Sequence, residues 1–313
     1  MKKYLVTGGF GFIGSNFIIE LFSRLELINT DFEIHCIDSM TYASDINNLP
    51  EKIRKSDNFV HHNLSISSKE IEYIFKDTFE WCINFAAESH VDRSIEDASP
   101  FMITNIIGTN NLLTFWSRTQ TGKFLQVGTD EVYGSLKTGS ADETHNLAPS
   151  SPYSASKASA DLVALSFKHT YDTDVVVTRC CNNYGPNQNV EKFIPRMIEL
   201  AGERKPFELY GSGKQVREWI HVSDHVNALL VILNTKELQS NIYNIGSGLE
   251  LSNFEVVNLI AAYIYSEPAN IISITDRPGH DFRYSLNSAR IQKELGWKCL
   301  TTFENGLAAL ISN

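Results

Sequence analysis

Cysteine is scarce in this chain of 313 residues, and its arrangement excludes two kinds of covalent or metal stabilisation. The five cysteines are Cys36, Cys82, Cys180, Cys181 and Cys299, and none of them forms a Cys-x-x-Cys pair. An odd count without that spacing indicates neither a zinc site nor a disulfide framework, so we expect no bound metal. A chain of this length can bury a sufficient core without such staples, and the pattern fits a reducing compartment.

Long apolar runs and an excess of basic residues are also missing. There is no run of 18 or more apolar residues, and the apolar stretch near the start is broken by Gly8, Gly9 and Gly11. We therefore expect neither a transmembrane segment nor a signal peptide. The formal net charge of −10 argues against a general nucleic-acid binder. The sequence predicts a cytoplasmic protein with no membrane or nucleic-acid partner.

Short apolar runs alternate with longer amphipathic stretches along the first 180 residues. The runs predict strands over residues 4–7, 33–37, 81–85, 123–127 and 174–178, and the stretches predict helices over 14–28, 100–119 and 153–171. This alternation is typical of right-handed βαβ units, which build a parallel sheet with helices on both faces. We expect an α/β fold with a doubly wound parallel sheet.

Beyond residue 180 the elements become shorter, because prolines and glycines interrupt them between residues 186 and 279. This change indicates a second, smaller lobe. The segment 218–245 again has the pattern of a helix followed by a strand, and we expect it to rejoin the main sheet. The predicted main domain is therefore 1–180 with 218–245, and the second lobe is 181–217 with 246–313.

A glycine-rich turn follows the first predicted strand and opens the first helix. Gly8, Gly11 and Gly14 give the spacing Gly-x-x-Gly-x-x-Gly, with Phe12 and Ile13 between the last two. Such a turn lets the backbone approach a pyrophosphate closely and places it on the positive end of a helix. A lone glycine triplet also fits an ordinary turn, but this position in an alternating chain favours a Rossmann-type dinucleotide site.

Asp38 ends the second predicted strand, 24 residues after Gly14. A carboxylate there can accept hydrogen bonds from both ribose hydroxyls and would repel a 2′-phosphate, so NAD is favoured over NADP. The alternative is a turn or helix-capping aspartate. Ala86 and Ala87 follow a later strand and are small enough for a dinucleotide to pass close to the backbone, although simple packing explains them equally well.

Tyr153 and Lys157 are four residues apart on one predicted helix and therefore share a face. A nearby ammonium stabilises a phenolate and lowers the pKa of the phenol toward neutrality, which makes a base for a sugar hydroxyl. By itself this spacing is common on solvated helices, and the dinucleotide motif upstream strengthens the catalytic interpretation. Thr129, at the end of an earlier strand, would present a hydroxyl to the same phenol oxygen.

Together these motifs resemble the extended short-chain dehydrogenase/reductases. The segment Gly128-Thr129-Asp130-Glu131-Val132-Tyr133-Gly134 more narrowly resembles the dTDP-glucose 4,6-dehydratase family. Six further segments are similar to that family and occur in its order, at 86–94, 151–159, 182–186, 215–219, 276–281 and 294–297. The resemblance extends from residue 4 to about residue 307, which is nearly the whole chain.

The resemblance implies an NAD-dependent dehydration of a nucleotide-activated hexose. Hydride leaves sugar C4 for NAD⁺ while Tyr153 removes the hydroxyl proton. Glu131 then takes the C5 proton and Asp130, as an acid, releases the C6 hydroxyl as water, before hydride returns to C6. Like-charged neighbours raise one pKa, which helps Asp130 to stay protonated. Read without these motifs, the two carboxylates fit a solvated loop equally well.

The resemblance also implies a set of contacts to the sugar nucleotide, largely in the second lobe. An arginine suits a diphosphate because its planar fork matches two phosphate oxygens, although each such residue alone is more often a surface ion-pair partner. The implied contacts are Asn182, Lys192, Arg217 and Arg277 for the phosphates, Asn253 and His280 for the nucleotide, and Glu88, His90 and Thr129 for the hexose. His90 is equally compatible with a buried core histidine.

The chain departs from the family pattern near the cofactor. Asn63 and Leu64 stand where the family usually carries Asp-Ile beside the adenine, and an amide can still contact the base edge. Cys181 replaces a serine before Asn182, which changes the polarity beside the nicotinamide. The loop from Tyr133 to Tyr153 is shorter than in most relatives. None of these differences touches a reacting group.

Other proteins of this type differ at named positions. The 4-epimerases share the glycines, tyrosine and lysine but need no acid–base pair, so Asp130 and Glu131 argue against them. Dehydratases that invert C5 of UDP-N-acetylglucosamine carry lysine where this chain has Glu131. A non-enzymatic NAD sensor would tolerate loss of Tyr153 or Lys157. The nucleotide, dTDP or UDP, and the C2 substituent stay open, and the resemblance implies a homodimer through helices 100–119 and 153–171.

Overall fold

A computed structural model of the chain describes residues 1–265 and 267–312. The strands are β1 (Lys2–Thr7), β2 (Phe32–Ile37), β3 (Phe59–His62), β4 (Trp81–Asn84), β5 (Lys123–Thr129), β6 (Val175–Cys180), β7 (Asn182–Tyr184), β8 (Phe207–Tyr210), β9 (Val216–His221), β10 (Ile242–Ile245), β11 (Glu250–Ser252) and β12 (Ile271–Ile274). The α-helices are α1 (Phe12–Leu27), α2 (Glu51–Arg54), α3 (Val91–Glu96), α4 (Ser99–Phe101), α5 (Thr109–Thr119), α6 (Pro152–Tyr171), α7 (Phe193–Gly202), α8 (Val222–Asn234), α9 (Asn253–Tyr265), α10 (Ala289–Leu295) and α11 (Phe303–Ser312). A π-helical turn spans Met102–Gly108, and 3₁₀ segments span Ile46–Asn48, Lys69–Lys76 and Asp130–Tyr133.

The main sheet has seven strands in the order β10-β6-β5-β4-β1-β2-β3. Every neighbouring pair in it is parallel. The order runs outward from β1 in both directions and therefore reverses between β1 and β4. Ligands of such sheets bind outside the carboxyl ends of the strands at that point. The predicted doubly wound parallel sheet is confirmed.

Apolar side chains on both faces of this sheet explain its burial. Strands β4 and β6 are buried at every residue, as expected when helices cover both faces. Helix α1 turns one apolar face toward the sheet, formed by Phe17, Ile18, Leu21, Phe22 and Leu25. The buried apolar strands thus lie between two layers of amphipathic helices. These layers do not cover the loops at the carboxyl edge of the sheet, which are free to form a site.

Helix α6 has the strongest start signal in the chain. Ser151 and Ser154 form a capping box, and Pro152 occupies the first turn, where its missing N–H costs nothing. The helix packs between β5 and β6 on one side and residues 102–119 on the other. Its first turns are therefore buried around most of their circumference, which fixes the side chains that they carry.

The sequence predicted one helix over residues 100–119, and the structure contains α4, the π-helical turn and α5 in its place. The wide turn buries Asn105 and Gly108. A Cβ at Gly108 would lie 2.6 Å from Cγ1 of Ile66, so only glycine fits there without repacking. Asn105, within this turn, has polar partners that are described below, and π-helical turns occur frequently at functional sites.

The chain after β6 builds two smaller sheets. One has the order β11-β9-β7 and the other pairs β12 with β8. Helices α7, α9 and α11 pack on these strands around a separate apolar cluster that includes Trp219, Ile260 and Phe303. Between these elements, α8 packs against α1 and β10 joins the main sheet beside β6. In the described part of the chain, no helix combines the length and apolarity that a bilayer crossing requires.

Glu218, on β9, joins three separated segments of the second lobe, and its substitution tests how they pack. Its buried carboxylate accepts backbone hydrogen bonds from Gly248 and Leu286, each 2.7 Å long. Glu218→Ala should lower the free energy of unfolding by about 1–3 kcal/mol for each N–H left unpaired. Chemical denaturation monitored by tryptophan fluorescence would measure this change. The exposed Glu237→Ala is the control, and equal stability of both variants would contradict the assigned role.

Candidate active site

The loops at the carboxyl edge of the main sheet enclose one cleft with a cavity volume of about 320 Å³. That volume is in the range of small-molecule sites. The cleft is lined by many of the residues that the sequence singled out, namely Gly8, Gly11, Phe12, Ile13, Gly14, Asp38, Leu64, Ala86, Ala87, Glu88, Thr129, Asp130, Glu131, Tyr153, Lys157, Asn182 and Lys192. Six others lie outside its lining: Asn63, His90, Arg217, Asn253, Arg277 and His280.

The glycine turn forms the floor of the cleft. Gly8 has a φ of +67°, and its N–H donates to the carbonyl of Ile37 at 2.8 Å. A Cβ at Gly8 would lie 2.8 Å from the backbone nitrogen of Ala86, and one at Gly14 would overlap the carbonyl oxygen of Gly8. These contacts bring β1, the start of α1 and the loop after β4 together, and they leave a cradle at the N-terminus of α1 that suits a pyrophosphate.

Asp38 is buried at the end of β2, and its carboxylate organises the loop around it. Oδ2 accepts the N–H of Phe10 at 2.9 Å, and Oδ1 accepts the N–H of Met40 at 2.9 Å and the hydroxyl of Ser44 at 2.8 Å. Each carboxylate oxygen can accept two hydrogen bonds, so Oδ2 retains capacity for a ribose hydroxyl. The same fixed negative charge disfavours a 2′-phosphate. This chemistry fits NAD.

Asp130 and Glu131 follow β5 directly and line the same cleft. The strand ends at Thr129, whose hydroxyl accepts the N–H of Glu131 at 3.3 Å and so caps the 3₁₀ segment. A 3₁₀ turn replaces the alternating geometry of a strand, and both carboxyls can therefore face one side. The Thr129 hydroxyl also donates to Oδ1 of Asp130 at 3.2 Å.

The two carboxyls have different electrostatic surroundings. Burial raises the pKa of Asp130 well above its usual range, and the charges of Glu131 and Glu218 raise it further. Burial also raises the pKa of Glu131, but three cations oppose that shift: Arg217, Arg277 and Lys192. Asp130 is therefore suited to act as an acid at neutral pH and Glu131 is the better carboxylate base.

Tyr153 and Lys157 lie in the first two turns of α6, and both are buried. Burial raises the pKa of Tyr153, the charges of Glu131 and Asp130 raise it further, and a hydrogen bond with Thr129 lowers it. Nζ of Lys157 donates to the carbonyl of Val127 at 2.7 Å. The sequence predicted a tyrosine pKa lowered toward neutrality, whereas the shift in the protein alone is upward, because burial and the two carboxylates outweigh the hydrogen bond with Thr129.

Asn105 connects the π-helical turn to the catalytic helix, and sequence reasoning missed it. Its Oδ1 accepts the N–H of Glu88 at 2.9 Å, and its Nδ2 donates to the carbonyl of Glu88 at 3.0 Å and to the hydroxyl of Ser156 at 2.8 Å. The Ser156 hydroxyl donates in turn to the carbonyl of Tyr153 at 2.7 Å. Asn105 thus fixes the loop after β4 relative to the first turn of α6.

The predicted phosphate-binding cations approach Glu131 from the second lobe. Arg217 is buried, donates to the carbonyl of Asp281 at 2.9 Å and lies 4.5 Å above the ring of Tyr284. Lys192 donates to the carbonyl of Ser89 at 2.9 Å. Arg277 forms an ion pair with Asp92 at 3.0 Å, and its Nε is buried without a partner among the described residues. The charges of all three cations oppose the effect of burial on the pKa of Glu131.

The remaining predicted contacts occupy the rim of the site or the second lobe. Asn182 has a buried Oδ1 that finds no partner among residues 1–265 and 267–312. Nδ1 of His280 is 2.6 Å from Oδ1 of Asp276, and Asn253 begins α9. His90 caps α3, with Nε2 3.9 Å from Oε2 of Glu191. Asn63 is exposed beside the cleft.

Three further residues near the reacting groups had no strong sequence signal. Asp92 binds both Arg277 and the hydroxyl of Tyr210. Glu191 lines the cleft and binds Arg93 at 3.1 Å. Tyr284 packs under Arg217. Burial and the charge of Glu131 raise the pKa of Tyr284. Asp92 lies within the family-like segment 86–94 and Tyr284 lies three residues after the segment 276–281, but their roles depend on contacts between distant parts of the chain.

Comparison with known proteins identifies relatives along the whole chain. A family model described as GDP-mannose 4,6 dehydratase matches residues 5–310. A dTDP-glucose 4,6-dehydratase of Xanthomonas campestris pv. campestris (strain B100) is 41% identical over 99% of this chain and 92% of its own length. The low-salt glycan biosynthesis protein Agl12 of Haloferax volcanii is 42% identical over 98% of this chain and 96% of its own.

Solved structures agree with these sequence relatives. The dTDP-glucose 4,6-dehydratase DesIV of Streptomyces venezuelae, solved with NAD bound, superimposes with a TM-score of 0.93 at 39% identity, covering 99% of this chain and 96% of that one. A UDP-glucose 4-epimerase of Thermotoga maritima has a TM-score of 0.88 at 26% identity, with 99% and 97% covered. The fold is thus shared with epimerases, whereas the higher identity is with dehydratases.

Asp38 provides a test of the cofactor site. Asp38→Ala should weaken NAD binding by roughly 10- to 100-fold, the equivalent of about 1.5–3 kcal/mol for a hydrogen bond to a charged group, and should improve the relative affinity for NADP. Calorimetric titration with both dinucleotides measures the ratio. Ser44→Ala removes one bond to the carboxylate and keeps its charge, so it should preserve the preference. An unchanged NAD-to-NADP ratio in Asp38→Ala would refute the ribose assignment.

Proposed function

The chain belongs to the dTDP-glucose 4,6-dehydratase family and is an NAD-dependent sugar-nucleotide 4,6-dehydratase, and we propose that its substrate is dTDP-glucose, converted to dTDP-4-keto-6-deoxyglucose. The observation that carries this proposal is the presence of Asp130, Glu131 and Tyr153 in one cleft. An epimerase needs the phenol but no acid–base pair. The dTDP nucleotide is favoured because relatives of this name are 39–42% identical over nearly the whole chain.

The glycine turn and Asp38 are the residues proposed to hold NAD, with Leu64 and Asn63 beside the adenine and Ala86 and Ala87 along the dinucleotide. NAD supplies the reaction with a hydride acceptor for C4 and, once reduced, a hydride donor for C6. The close backbone approach at Gly8 and the fixed carboxylate of Asp38 support this placement. Phe12 and Ile13 carry the first free N–H groups of α1 toward the pyrophosphate.

The first step assigned to the chain is removal of the C4 hydroxyl proton by Tyr153. Because burial raises the pKa of this phenol, its ionisation depends on a positive charge close by. Lys157, one helical turn further along α6, is the chain's own source of that charge. A hydrogen bond with Thr129 lowers the pKa of Tyr153 against that burial. We assign Thr129, Tyr153 and Lys157 to the oxidation at C4.

Elimination of water is assigned to the two carboxyls. The new ketone at C4 acidifies the C5 hydrogen, which Glu131 removes as a proton while Asp130 protonates the departing C6 hydroxyl. The pKa of Asp130 is raised well above its usual range, so it carries a proton at neutral pH. The surrounding cations lower the pKa of Glu131 against its burial and favour the carboxylate. Glu131 finally returns a proton to C5 as hydride arrives at C6.

The second lobe is proposed to bind the sugar nucleotide, through the segments 181–217 and 246–313. The cations Arg217, Arg277 and Lys192 are assigned to the diphosphate, because each opposes the effect of burial on the pKa of Glu131, and the neutral Asn182, which lines the cleft, is assigned to the same group. A diphosphate carries the negative charge that arginine and lysine side chains bind in charge-assisted hydrogen bonds. Other assignments follow the family pattern: Asn253 and His280 to the nucleotide, and Glu88, His90 and Thr129 to the hexose.

A homodimer in the cytoplasm is the proposed state of the protein. Ile103, Ile107 and Leu162 have exposed fractions of 52%, 54% and 57%. They lie on the π-helical turn and on α6, two elements that pack against each other, so their apolar side chains face outward from one pair of helices. Exposed apolar surface on neighbouring helices favours self-association.

Isotope transfer tests the reaction assigned to Asp130, Glu131 and Tyr153. Because one enzyme-bound cofactor is proposed to take hydride from C4 and return it to C6, dTDP-glucose deuterated at C4 should give product deuterated at C6 in the same molecule. In heavy water the product should gain one deuterium at C5. Mass spectrometry and proton NMR measure both positions. Product with an intact 6-hydroxymethyl group and inverted C4 would refute the dehydratase proposal.

Variants of the two reacting residues separate the steps of this reaction, and alternative substrates test the nucleotide. Glu131→Gln should still show some enzyme-bound NADH absorbance but no loss of water, whereas Tyr153→Phe should form little NADH. With dTDP-glucose, UDP-glucose and UDP-N-acetylglucosamine in parallel, the product lighter by one water should accumulate fastest from dTDP-glucose. Faster turnover of either UDP sugar would overturn the substrate assignment and leave the reaction class intact.

The proposed dimer is tested by placing charge on its helices. The unmodified protein should elute with the mass of two 35.2 kDa chains in light-scattering chromatography. Ile107→Glu with Leu162→Glu should shift it to the monomer, because two carboxylates would be buried in each interface. Leu27→Glu, at a position with an exposed fraction of 85% on α1, is the control and should stay dimeric. A monomeric unmodified protein would disprove the assembly.

A further inference from the structure

Behind the catalytic helix lies a buried polar network that the proposed reaction does not use. Asp161, on α6, is fully buried, and Oδ2 of its carboxylate accepts a hydrogen bond of 2.9 Å from Nε of Arg179 on β6. Nη1 of Arg179 donates to the hydroxyl of Tyr133 at 2.8 Å, and that hydroxyl donates to Oδ1 of Asn244 at 2.8 Å. The guanidinium also lies 4.9 Å above the Tyr133 ring.

The network joins the elements that carry the reacting groups. Asp161 lies one helical turn beyond Lys157 on the same face of α6. Tyr133 ends the 3₁₀ segment that begins with Asp130. Gly128 lies between them, where a Cβ would be 3.0 Å from Oδ1 of Asp161 and 2.6 Å from the carbonyl oxygen of Thr178. Glycine at this position therefore lets the carboxylate of α6 lie directly against β5.

Lys157 has little else to stabilise its charge. Its Nζ donates to one backbone carbonyl, that of Val127. Burial lowers the pKa of Lys157, and the charge of Asp161 opposes that shift. Oδ1 of Asp161 is buried and has no hydrogen-bond partner among residues 1–265 and 267–312, so its negative charge is only partly neutralised by Arg179. The carboxylate thus combines a fixed position, one helical turn from Lys157 on the same face of α6, with residual charge.

We propose that Asp161 is a positioning residue for the reaction: its carboxylate, held by Arg179, keeps Lys157 in the ammonium form and fixes α6 against the segment that carries Asp130 and Glu131. This inference rests on the roles proposed above for Tyr153 and Lys157. Asp161 touches neither substrate nor cofactor in this arrangement and acts through the lysine.

The other charged groups around Lys157 do not substitute for Asp161. Tyr153, Asp130, Glu131 and Cys180 line the same cleft, but the charge that opposes the effect of burial on the pKa of Lys157 is that of Asp161. Arg179, from β6, would repel the ammonium. Residues 102–119, packed on the opposite side of α6, contain a single charged side chain, Arg118, which is exposed in the last turn of α5. Helix α3 also packs on α6, but its Asp92 and Arg93 are paired with Arg277 and Glu191, and its Glu96 is exposed.

The pH dependence of the reaction tests this proposal. In Asp161→Asn no carboxylate opposes the effect of burial on the pKa of Lys157. This pKa therefore falls further, and the lysine loses its proton at lower pH. The alkaline limb of kcat/KM for dTDP-glucose should therefore move to lower pH by about one unit or more. Rates measured from about pH 6 to 10 give the limb. An alkaline limb at the native position in a folded Asp161→Asn variant would overturn the proposal.

Two further variants separate electrostatics from stability. Asp161→Asn alone leaves the Arg179 guanidinium buried without its carboxylate partner. The double variant with Asp161→Asn and Arg179→Gln removes both charges, and its alkaline limb should also move to lower pH. Tyr133→Phe removes a hydroxyl from the same network without changing any charge. It should lower the melting temperature and leave the alkaline limb in place. A limb that moves equally in Tyr133→Phe would show a purely structural effect and refute the proposal.

The variant Lys157→Met distinguishes the role proposed for Lys157 from the role proposed for Asp161. If this variant keeps the native rate, the role proposed for Lys157 fails, and the inference about Asp161 fails with it. If Lys157→Met is inactive while the Asp161→Asn limb stays native, the proposed function stands and only the inference about Asp161 is wrong. Loss of activity in Lys157→Met together with a shifted limb in Asp161→Asn supports both.

Discussion

Burial of ionisable groups at the carboxyl edge of a parallel sheet is the constraint on which the rest of this structure depends. Desolvation raises the pKa of Asp130 and of Tyr153 and lowers that of Lys157, so each charged form needs specific compensation. The fold supplies it from different layers: cations of the second lobe around Glu131, and Asp161 behind the lysine. The site is therefore a property of how the layers pack, and no single segment contains it.

The strands of the main sheet were largely predictable, because buried parallel strands are continuous apolar runs. Strand β3 was not predicted, since it is a four-residue edge strand that ends in His61 and His62 and is only partly buried. The π-helical turn was also invisible, because the apolar period of residues 100–119 is that of a regular helix. Within this turn Asn105 makes hydrogen bonds to segments far apart in sequence.

Within the site, the sequence located the residues better than it described their chemistry. The glycine turn, Asp38, the two carboxyls and the Tyr153–Lys157 pair all line one cleft. The direction of the Tyr153 pKa was mispredicted, because four-residue spacing reports proximity on a helix and contains no information about burial. Asp92 and Tyr284 were missed for a similar reason: each acquires its position through contacts with arginines from another part of the chain.

The pairing of β10 with β6 also has a consequence for how the chain folds during its synthesis. The edge of β6 receives its last neighbour only after residues 181–241, including much of the smaller lobe, have been made. Until then a ribosome-bound chain presents the unpaired backbone of a fully buried strand to its surroundings. Such long-range closure slows folding and leaves the edge of β6 open to aggregation until the segment up to Ile245 has been made.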